Sequence, residues 1–343
     1  MNDFFAFQWH ILDDCDQRCK HCYIFSEDNN KPLLTMDFQD FEKILDDCLE
    51  MCDTLNCKPY FTITGGDPIL HPNFWDILQL LNDNNLDYSI LGNPFHLNDE
   101  VCERLAELNC RQYQLSLDGM RETHDYFRKP GSFDTTLEKI PVLKRNNVKA
   151  SIMTTVSKRN INEITSIIDT VVEHKVDLFS FSRYCPTSLD KTGQMTSEEY
   201  HQLLGDVWVK FKEYKDSSTF FNLKDHLWTL FLYEKGLFKI PEGLDEETIY
   251  DGCNCGNNHL TILPSGDVFA CRRMESEIGN ALNEDILNIF TGDKLDKYRE
   301  YEKFEKCNKC ELLRFCRGCP AVSYGYTHNF YSPDPQCWKK IPK

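Results

Sequence analysis

Three cysteines stand within eight residues near the start of this 343-residue chain, just after a short apolar run. Their spacing, Cys15-x3-Cys19-x2-Cys22, puts three thiolates on one tight loop. A cubane iron–sulfur cluster takes four ligands, so three cysteines leave one iron open to an external group. An open iron can bind and reduce a substrate. The residues alone also allow a zinc site, an electron-transfer cluster with a distant fourth ligand, or disulfides.

A second candidate site follows the next apolar run. Thr64, Gly65, Gly66 and Asp67 come directly after the β-branched and aromatic residues 60–63 and precede a helical pattern. Glycines at the end of a strand let the backbone approach a ligand closely, and a carboxylate there can accept hydrogen bonds from an ammonium group. Alone, such a tetrad is also typical of an ordinary strand-to-helix turn.

A third polar stretch begins at Ser116 and continues as Leu-Asp-Gly, then His-Asp at 124–125, Arg128, and Gly-Ser-Phe at 131–133. An arginine at such a place can pair with a carboxylate through two hydrogen bonds, because its guanidinium is a planar fork. Taken alone, Arg128 fits a surface ion pair better. Its meaning therefore depends on the other two motifs.

Together the three motifs resemble the radical S-adenosylmethionine (SAM) superfamily and, in the stretch from Ser116, its peptide-modifying members. The resemblance implies that SAM chelates the open iron. Asp67 stands where glutamate is usual, and the family's Thr-Asn-Gly appears only as Leu91-Gly92-Asn93. The cofactor-binding residues that the resemblance implies are His21, Gly65, Gly66, Asp67, Ser116 and Arg128.

A second group of cysteines occupies the last quarter of a chain that has 17 in all. A hairpin-like stretch at 259–269, with its turn at 264–267, precedes the third of them. Eight thiolates are what two fully ligated cubane clusters require. Paired Cys-x2-Cys motifs are equally consistent with two zinc ribbons. These eight residues are Cys253, Cys255, Cys271, Cys307, Cys310, Cys316, Cys319 and Cys337.

This layout resembles the SPASM domain, a C-terminal module of radical SAM enzymes that carries two auxiliary clusters. The resemblance assigns the first auxiliary cluster to Cys253, Cys255, Cys271 and Cys319. It assigns the second to Cys307, Cys310, Cys316 and Cys337. With the N-terminal site, this implies three 4Fe-4S clusters. Of the other six cysteines we expect most to lie in the core, whereas Cys185 is placed near the mouth of the predicted barrel.

The elements that must position these residues alternate between strands and helices. We predict strands at Phe5–Leu12, Pro59–Ile63, Tyr88–Leu91, Gln112–Leu117, Ala150–Thr155 and Leu178–Phe181. Amphipathic stretches between them predict helices at Phe38–Leu49, Phe74–Leu81, Val101–Leu108, Phe133–Leu143 and Ile161–Val172. Six βα units predict an α/β fold, a partial (β/α)6 TIM-like barrel with its chemistry at the carboxyl ends of the strands.

We expect three regions: a radical SAM partial barrel at 1–190, a helical region at 191–245, and a small Cys-rich SPASM domain with little regular structure at 246–343. The aromatic-rich middle region either packs on the barrel as a linker or forms part of a substrate channel. The net charge of −17 argues against a nucleic-acid partner. No apolar run is long enough to span a membrane, and the absence of a signal segment predicts a cytoplasmic protein.

The resemblance implies a radical SAM oxidoreductase that cleaves SAM reductively and cross-links a ribosomally made peptide. A thioether bond from a cysteine is favoured; carbon–carbon cross-linking, or dehydrogenation or decarboxylation of a small molecule, are the alternatives. A zinc-stabilised interaction protein is the non-enzymatic alternative. The expected partners are a peptide substrate and a reducing flavodoxin or ferredoxin. The resemblance also predicts that the N-terminal module that binds a leader peptide in many maturases is missing, so either a separate leader-binding protein presents the peptide or the barrel binds it directly.

The general base stays unassigned. In sulfatase-maturating relatives an aspartate follows the cysteine equivalent to Cys271, whereas this chain has Arg272 and Arg273. The difference argues against sulfatase maturation. Such a basic pair could raise the potential of an auxiliary cluster or hold a carboxylate of the peptide.

Overall fold

The computed structural model describes residues 4–25, 32–186, 193–245 and 247–341. Ten strands form one sheet. In chain order they are β1 (Phe4–His10), β2 (Lys58–Thr64), β3 (Asp87–Leu91), β4 (Gln112–Ser116), β5 (Lys149–Val156), β6 (Leu178–Arg183), β7 (Phe220–Asn222), β8 (His259–Ile262), β9 (Asp267–Phe269) and β10 (Glu277–Asn280). Their spatial order is β10-β9-β8-β1-β2-β3-β4-β5-β6-β7.

Helices connect and cover the strands. They are α1 (Phe38–Leu55), α2 (Phe74–Asp83), α3 (Asp99–Glu107), α4 (Arg121–Phe127), α5 (Ser132–Arg145), α6 (Ile164–Glu173), α7 (Ser197–Glu213), α8 (Leu227–Glu234), α9 (Ile286–Thr291), α10 (Asp293–Asp296) and α11 (Pro320–Thr327). None of the helices in the described residues combines the length and apolar character that a membrane span requires.

Strands β1 to β6 are all parallel to their neighbours and are joined by helices, so the predicted (β/α)6 partial barrel is confirmed. Every predicted strand and helix of this part is present, with ends that differ by a few residues. Local signals fix several helix starts. The side chain of Asn98, for example, accepts a hydrogen bond from the Val101 amide at 2.9 Å and caps α3.

Two additions to the sheet were not predicted. Strand β7, from the region expected to be helical, pairs parallel to β6. Strand β8 pairs parallel to β1, and β9 and β10 continue the sheet in antiparallel fashion, so the C-terminal cysteine-rich region has more regular structure than expected. Strands of three or four residues give almost no periodic signal in a sequence, and their pairing covers edges that would otherwise be open.

The core is built on the apolar faces of the strands and helices. The Trp9 ring of β1 stacks on Phe41 of α1 with ring centroids 4.0 Å apart. Four of the cysteines outside the two groups are buried in this core, and Cys57 is half-buried. The four are Cys48, Cys52, Cys102 and Cys110. The described residues include all 17 cysteines, and none is in a disulfide.

One buried arginine joins the barrel to the rest of the chain. Arg183, at the end of β6, is only 1% exposed. Its Nε donates to Asp225 at 2.9 Å, between β7 and α8, and its Nη1 donates to Asp334 at 2.7 Å, near the C-terminus. Asp334 also accepts hydrogen bonds from the amides of Cys319 and Gln336. A single cation thus ties three parts of the chain together.

We predict that Asp334→Ala lowers the free energy of unfolding of the holoprotein by about 3–5 kcal/mol, because it leaves part of a buried charge uncompensated. Chemical denaturation, followed by circular dichroism, measures the loss. Asp216→Ala removes an exposed aspartate and changes the free energy by less than about 0.5 kcal/mol. A loss below about 1 kcal/mol for Asp334→Ala would contradict this interpretation of the pair.

Candidate active site

The three N-terminal cysteines lie on the loop after β1. The two glycines after β2 contact the backbone of this loop on one side. The Gly66 amide donates to the Leu12 carbonyl at 2.9 Å, and the Asp67 amide donates to the Asp14 carbonyl at 2.8 Å. A Cβ atom on Gly65 would lie 2.2 Å from the Leu12 oxygen, and one on Gly66 would lie 1.9 Å from the Asp14 oxygen. No other residue fits at either position, because the two backbones touch.

The three thiols of this loop are half-buried, and those of Cys15 and Cys19 have hydrogen-bond partners. The Asn93 side-chain amide donates to Cys15 Sγ at 3.2 Å, and Arg128 Nη1 lies 3.7 Å from Cys19 Sγ. Burial raises the pKa of the Cys15 thiol to about 11. Burial also raises the pKa of Cys19, although the Arg128 charge opposes it. A bound metal cluster would supply the positive charge that keeps such thiols ionised.

Asp67 presents an unused acceptor beside Cys15. Its carboxylate is fully buried, and Oδ1 accepts from the Asn93 amide at 3.2 Å. No hydrogen-bond donor among the described residues reaches Oδ2. Burial, together with the nearby charge of Asp16, raises the pKa of Asp67 to about 7. A free, buried carboxylate oxygen close to the cysteine loop suits a ligand that brings its own N–H donors.

Gly92, between β3 and Asn93, makes room for this carboxylate. A Cβ atom there would lie 2.2 Å from the Tyr113 hydroxyl oxygen and 3.0 Å from Asp67 Oδ1. The Tyr113 hydroxyl in turn donates to the Asn93 carbonyl at 3.1 Å. The Leu-Gly-Asn sequence therefore supports the cysteine loop, because the side-chain amide of Asn93 donates hydrogen bonds to Cys15 Sγ and Asp16 Oδ1.

A buried ion pair holds the opposite side of the cysteine loop. Arg128 Nε and Nη2 both donate to Asp118 Oδ2 at 2.7 Å, and His21 Nε2 lies 3.4 Å from the same oxygen. The Thr155 amide donates to Asp118 Oδ1 at 2.9 Å. Despite burial, Arg128 and His21 keep the pKa of Asp118 below its usual value. Two of the three guanidinium nitrogens of Arg128 are thus used by Asp118, and Nη1 is the one that faces Cys19.

The other polar residues of the stretch from Ser116 extend this pair into a network. His124 accepts from the Asp118 amide at 3.1 Å and contacts Ser132 Oγ at the same distance. Gln17, inside the cysteine loop, donates to Ser132 Oγ at 3.3 Å, and the Cys19 thiol donates to Gln17 Oε1 at 3.3 Å. These contacts explain why the polar residues of this stretch are spaced as they are: they meet one another and the cysteine loop in the fold. Gln17 was missed as a site residue, because a lone polar residue in a loop has no sequence signature, and His124 was noted in the motif but given no role.

Ser116 is the predicted site residue that the structure leaves outside this network. It ends β4, is half-buried, and pairs in register with Met153 of β5. The other predicted residues meet around the cysteine loop. They are His21, Gly65, Gly66, Asp67 and Arg128.

A cavity of about 640 Å³ fills the barrel and is called the lumen below. It extends from the first residues of the strands, such as Ala6 and Gln112, to residues beyond their carboxyl ends, such as His21 and Tyr184. Ser, Thr and Gln side chains make up much of its wall. A volume of this size accommodates a metabolite or a few residues of a peptide. A second cavity of about 470 Å³ shares His21 and Tyr184 with the lumen.

The cysteines of the C-terminal region separate into two sets. Four of them line one small cavity together with Lys306 and Lys339: Cys307, Cys310, Cys316 and Cys337. Burial raises the pKa of Cys307 to about 12, and the neighbouring thiols of Cys337 and Cys310 add to this effect. Four thiols that converge on one small cavity are the donor set that a metal cluster requires.

The second set lies nearer to the lumen. Cys253, Cys255 and Cys271 line another cavity, of about 440 Å³. Burial raises the pKa of all three thiols, and the charge of Cys319 adds to the effect on each. Cys185 is a fifth thiol here, because it lies against Cys319 and also lines the lumen.

The wall of the lumen beside this second set carries positive charge. Arg183, Lys224 and Arg273 all line it. Burial and the Arg273 charge lower the pKa of Lys224. Burial and the Lys224 charge lower the pKa of His259, on β8, to about 4. The positive side chains here are therefore close enough to repel one another.

Comparison with known proteins agrees with this geometry. The sequence profile of the radical SAM superfamily matches residues 9–171, and the profile of SPASM, an iron-sulfur cluster-binding domain, matches residues 253–320. Both matches contain the cysteine motifs described above, apart from Cys337. The chain is therefore a radical SAM enzyme with a SPASM domain, an oxidoreductase whose cofactors are SAM and 4Fe-4S clusters.

Particular relatives act on different substrates. The chain is 26% identical over 341 residues to an AdoMet-dependent heme synthase of Methanosarcina barkeri, covering 96% of this chain and 95% of the relative. It is 24% identical over 272 residues to the mycofactocin maturase MftC of Mycolicibacterium smegmatis, covering 77% of this chain and 63% of that one.

The fold is shared with Streptococcus suis SuiB in complex with S-adenosylmethionine. The TM-score is 0.76 at 21% identity, with 98% of this chain and 78% of SuiB covered. SuiB has also been solved with its precursor peptide SuiA. At this level of identity the likeness shows a common fold and does not transfer a substrate.

The resemblance to the radical SAM superfamily implies that Asp67 accepts from the SAM amino group, and burial raises the pKa of this carboxyl to about 7. We therefore predict that the affinity of the holoenzyme for SAM rises about tenfold between about pH 6 and pH 8. Below its raised pKa the carboxyl is protonated and Oδ2 is no longer a free acceptor. Equilibrium dialysis with labelled SAM measures the dissociation constant. Asp67→Asn should bind SAM more weakly and with a flat profile. The same slope in this variant would exclude Asp67 as its source.

Proposed function

We propose that this protein is a radical SAM maturase that oxidatively cross-links a ribosomally made peptide, with a thioether bond from a cysteine as the favoured product. The lumen carries this proposal. Its wall includes His21 and Tyr23 of the SAM-cluster loop as well as Cys185 and Arg273 beside the first auxiliary set. A substrate in the lumen would therefore lie beside the SAM-cluster loop, where hydrogen is abstracted, and also beside the first auxiliary set, which can accept an electron.

We propose that Cys15, Cys19 and Cys22 hold the SAM-binding cluster, that Asp67 accepts from the SAM amino group, and that Gly65 and Gly66 let the ligand approach. When bound there, a reduced 4Fe-4S cluster and SAM supply a 5′-deoxyadenosyl radical that abstracts hydrogen from an unactivated C–H bond. We also propose that SAM contacts Arg128 Nη1, which lies 3.7 Å from Cys19 Sγ and 3.5 Å from Gln17 Oε1, and the half-buried Ser116 hydroxyl at the end of β4. The network behind Arg128 holds the loop still while the lumen walls exclude water.

We assign one auxiliary cluster to each of the two C-terminal cysteine sets, which makes three clusters in total. The first set is Cys253, Cys255, Cys271 and Cys319, and the second is Cys307, Cys310, Cys316 and Cys337. The cavities that contain most members of each set support this division. The region boundaries proposed from the sequence, 1–190, 191–245 and 246–343, enclose the two profile matches.

The atoms and electrons balance for a thioether product. The peptide loses two hydrogens: one as a hydrogen atom from carbon, the other as the thiol proton plus one electron. The auxiliary sites supply a destination for the electron, and a reduced flavodoxin or ferredoxin is the donor that starts the reaction. Similarity to a mycofactocin maturase supports a peptide substrate. A separate leader-binding protein is part of this proposal, and the cytoplasm is the compartment it requires.

A second candidate is the oxidation or decarboxylation of a small molecule. The end-to-end match to an AdoMet-dependent heme synthase favours it. The lumen is large enough for a metabolite. Carbon–carbon cross-linking of peptide side chains is the remaining product within the peptide proposal. The identity of genes encoded beside this one separates the two classes, since a short cysteine-rich peptide points to the maturase.

We predict that co-expression with such a neighbouring peptide yields a product lighter by multiples of two hydrogens. Changing Cys15, Cys19 and Cys22 together to alanine should abolish the mass loss, because the radical is no longer formed. Mass spectrometry of the peptide reads the result. The control is Cys57→Ala, a cysteine outside all three sets, which should keep the wild-type mass loss. An unmodified peptide with wild-type enzyme that still releases 5′-deoxyadenosine would favour the small-molecule candidate.

We predict about twelve irons per chain after anaerobic reconstitution, as three cubanes require, and a loss of about four in Cys310→Ala. Iron and sulfide analysis with Mössbauer spectroscopy measures the content. Cys102→Ala, a buried core cysteine, should retain the wild-type iron content. Zinc in place of iron, or an unchanged iron content in Cys310→Ala, would refute the assignment of the second set.

A further inference from the structure

The proposed cluster chemistry does not account for the positively charged part of the lumen wall. It consists of Arg183, Lys224 and Arg273 and is called the basic wall below. These residues come from three parts of the chain: the end of β6, the segment between β7 and α8, and the loop after β9. In a protein with a net charge of −17, three cations on the wall of one internal cavity form a distinct electrostatic feature.

Only one of these cations is neutralised by carboxylates. Arg183 is paired with Asp225 and Asp334 at 2.9 and 2.7 Å. Within the described residues no carboxylate lies at ion-pair distance from Lys224 or Arg273. The Arg273 guanidinium donates to the Arg183 carbonyl, which satisfies one N–H but no charge. Arg183 Nη2 is buried and has no acceptor among the described residues.

The side chains of the two arginines after Cys271 lie in different surroundings, which indicates different roles. The Arg272 guanidinium lies over the Tyr23 ring, 4.5 Å from its centroid, and over Phe269 at 5.8 Å. Arg272 does not line the lumen, whereas Arg273 does. Arg272 therefore packs the cluster loop against the loop after β9. Arg273 faces the lumen beside the thiols of Cys185, Cys319 and Cys271.

We propose that the basic wall is a carboxylate-binding subsite, in which Arg273 and Lys224 hold an acidic group of the substrate. The inference rests on the proposed oxidative function of the lumen and adds the substrate class: a peptide with an aspartate, glutamate or free C-terminus near the reacting residue. Arginine suits the carboxylate because its fork gives two parallel hydrogen bonds, and lysine adds a mobile charge. An acidic group held here would fix which neighbouring carbon faces the SAM-cluster loop.

Lys224 lines both the lumen and the cavity of the first auxiliary set. A carboxylate between Lys224 and Arg273 would therefore lie at the border between substrate and cluster site. Its negative charge would relieve the mutual repulsion of the two cations. Binding of substrate and neutralisation of the wall would occur together, which gives the subsite selectivity against amides of the same shape.

Two matched tripeptides test the subsite without any turnover. Acetyl-Gly-Glu-Gly-amide and acetyl-Gly-Gln-Gly-amide differ only in the charge of the central side chain. We expect the reconstituted holoenzyme to bind the glutamate peptide about tenfold more tightly, as one desolvated charge pair provides. Equilibrium dialysis with quantification by mass spectrometry measures both dissociation constants. Equal binding of the two, or binding of neither, overturns the proposal.

Variants locate the preference. Arg273→Gln and Lys224→Gln should each reduce it below about threefold, and Arg273→Lys, which keeps the charge, should retain part of it. The matched control is Arg272→Gln, which makes the same change one residue away and should retain the full preference. An undiminished preference in both Arg273→Gln and Lys224→Gln overturns the proposal. Iron content shows that the variants are loaded, and 5′-deoxyadenosine release by the same samples tests the proposed function separately.

Discussion

The buried carboxylate of Asp118 is the constraint on which the rest of the site depends. It receives two hydrogen bonds from Arg128 and one from the Thr155 amide, and it faces His21. Removing one partner from such a buried pair costs about 3–5 kcal/mol, because the other charge is left without compensation. The pair connects β4, β5, α4 and the cysteine loop. The positions of the three thiols are therefore set by a charge that never touches them.

The glycine pair completes this restraint from the other side. Gly65 and Gly66 press on the backbone of Leu12 and Asp14, and Arg128 reaches Cys19 from the opposite direction. The loop is thus held between a backbone contact and a guanidinium. Preorganisation of this kind matters for a reactive site, because small displacements of reacting groups cost large factors in rate.

The barrel could be predicted from sequence because its strands are long enough to show their pattern. Trp9, Ile63 and Ile90 belong to apolar runs of five to seven residues, and each run is followed by an amphipathic helix. The pairing of β8 with β1 could not be predicted, since Ala6 and His259 are separated by most of the chain. Such pairing is decided by where the C-terminal region docks, and no local signal encodes that.

The residues of the candidate site also fall into those that the sequence predicts and those that it does not. Cysteines and paired glycines carry their chemistry in the residue type, so their grouping was readable from spacing. Asn93, Gln17 and Asp225 do their work through a partner far away in sequence, and polar residues of these types are common in loops. The fork of Arg128 shows the limit best: its type and place suggested a ligand contact, whereas the structure commits most of it to Asp118.

The continuous sheet has a mechanical consequence. Asn222 on β7 and His259 on β8 both border the lumen, yet among the described residues these two strands are not paired: β7 pairs with β6, and β8 pairs with β1 and β9. Main-chain ladders therefore fix the width of the lumen along the sheet but not at the opening between β7 and β8. A change in the width of the channel is least costly at this opening, because it breaks no main-chain hydrogen bond between strands.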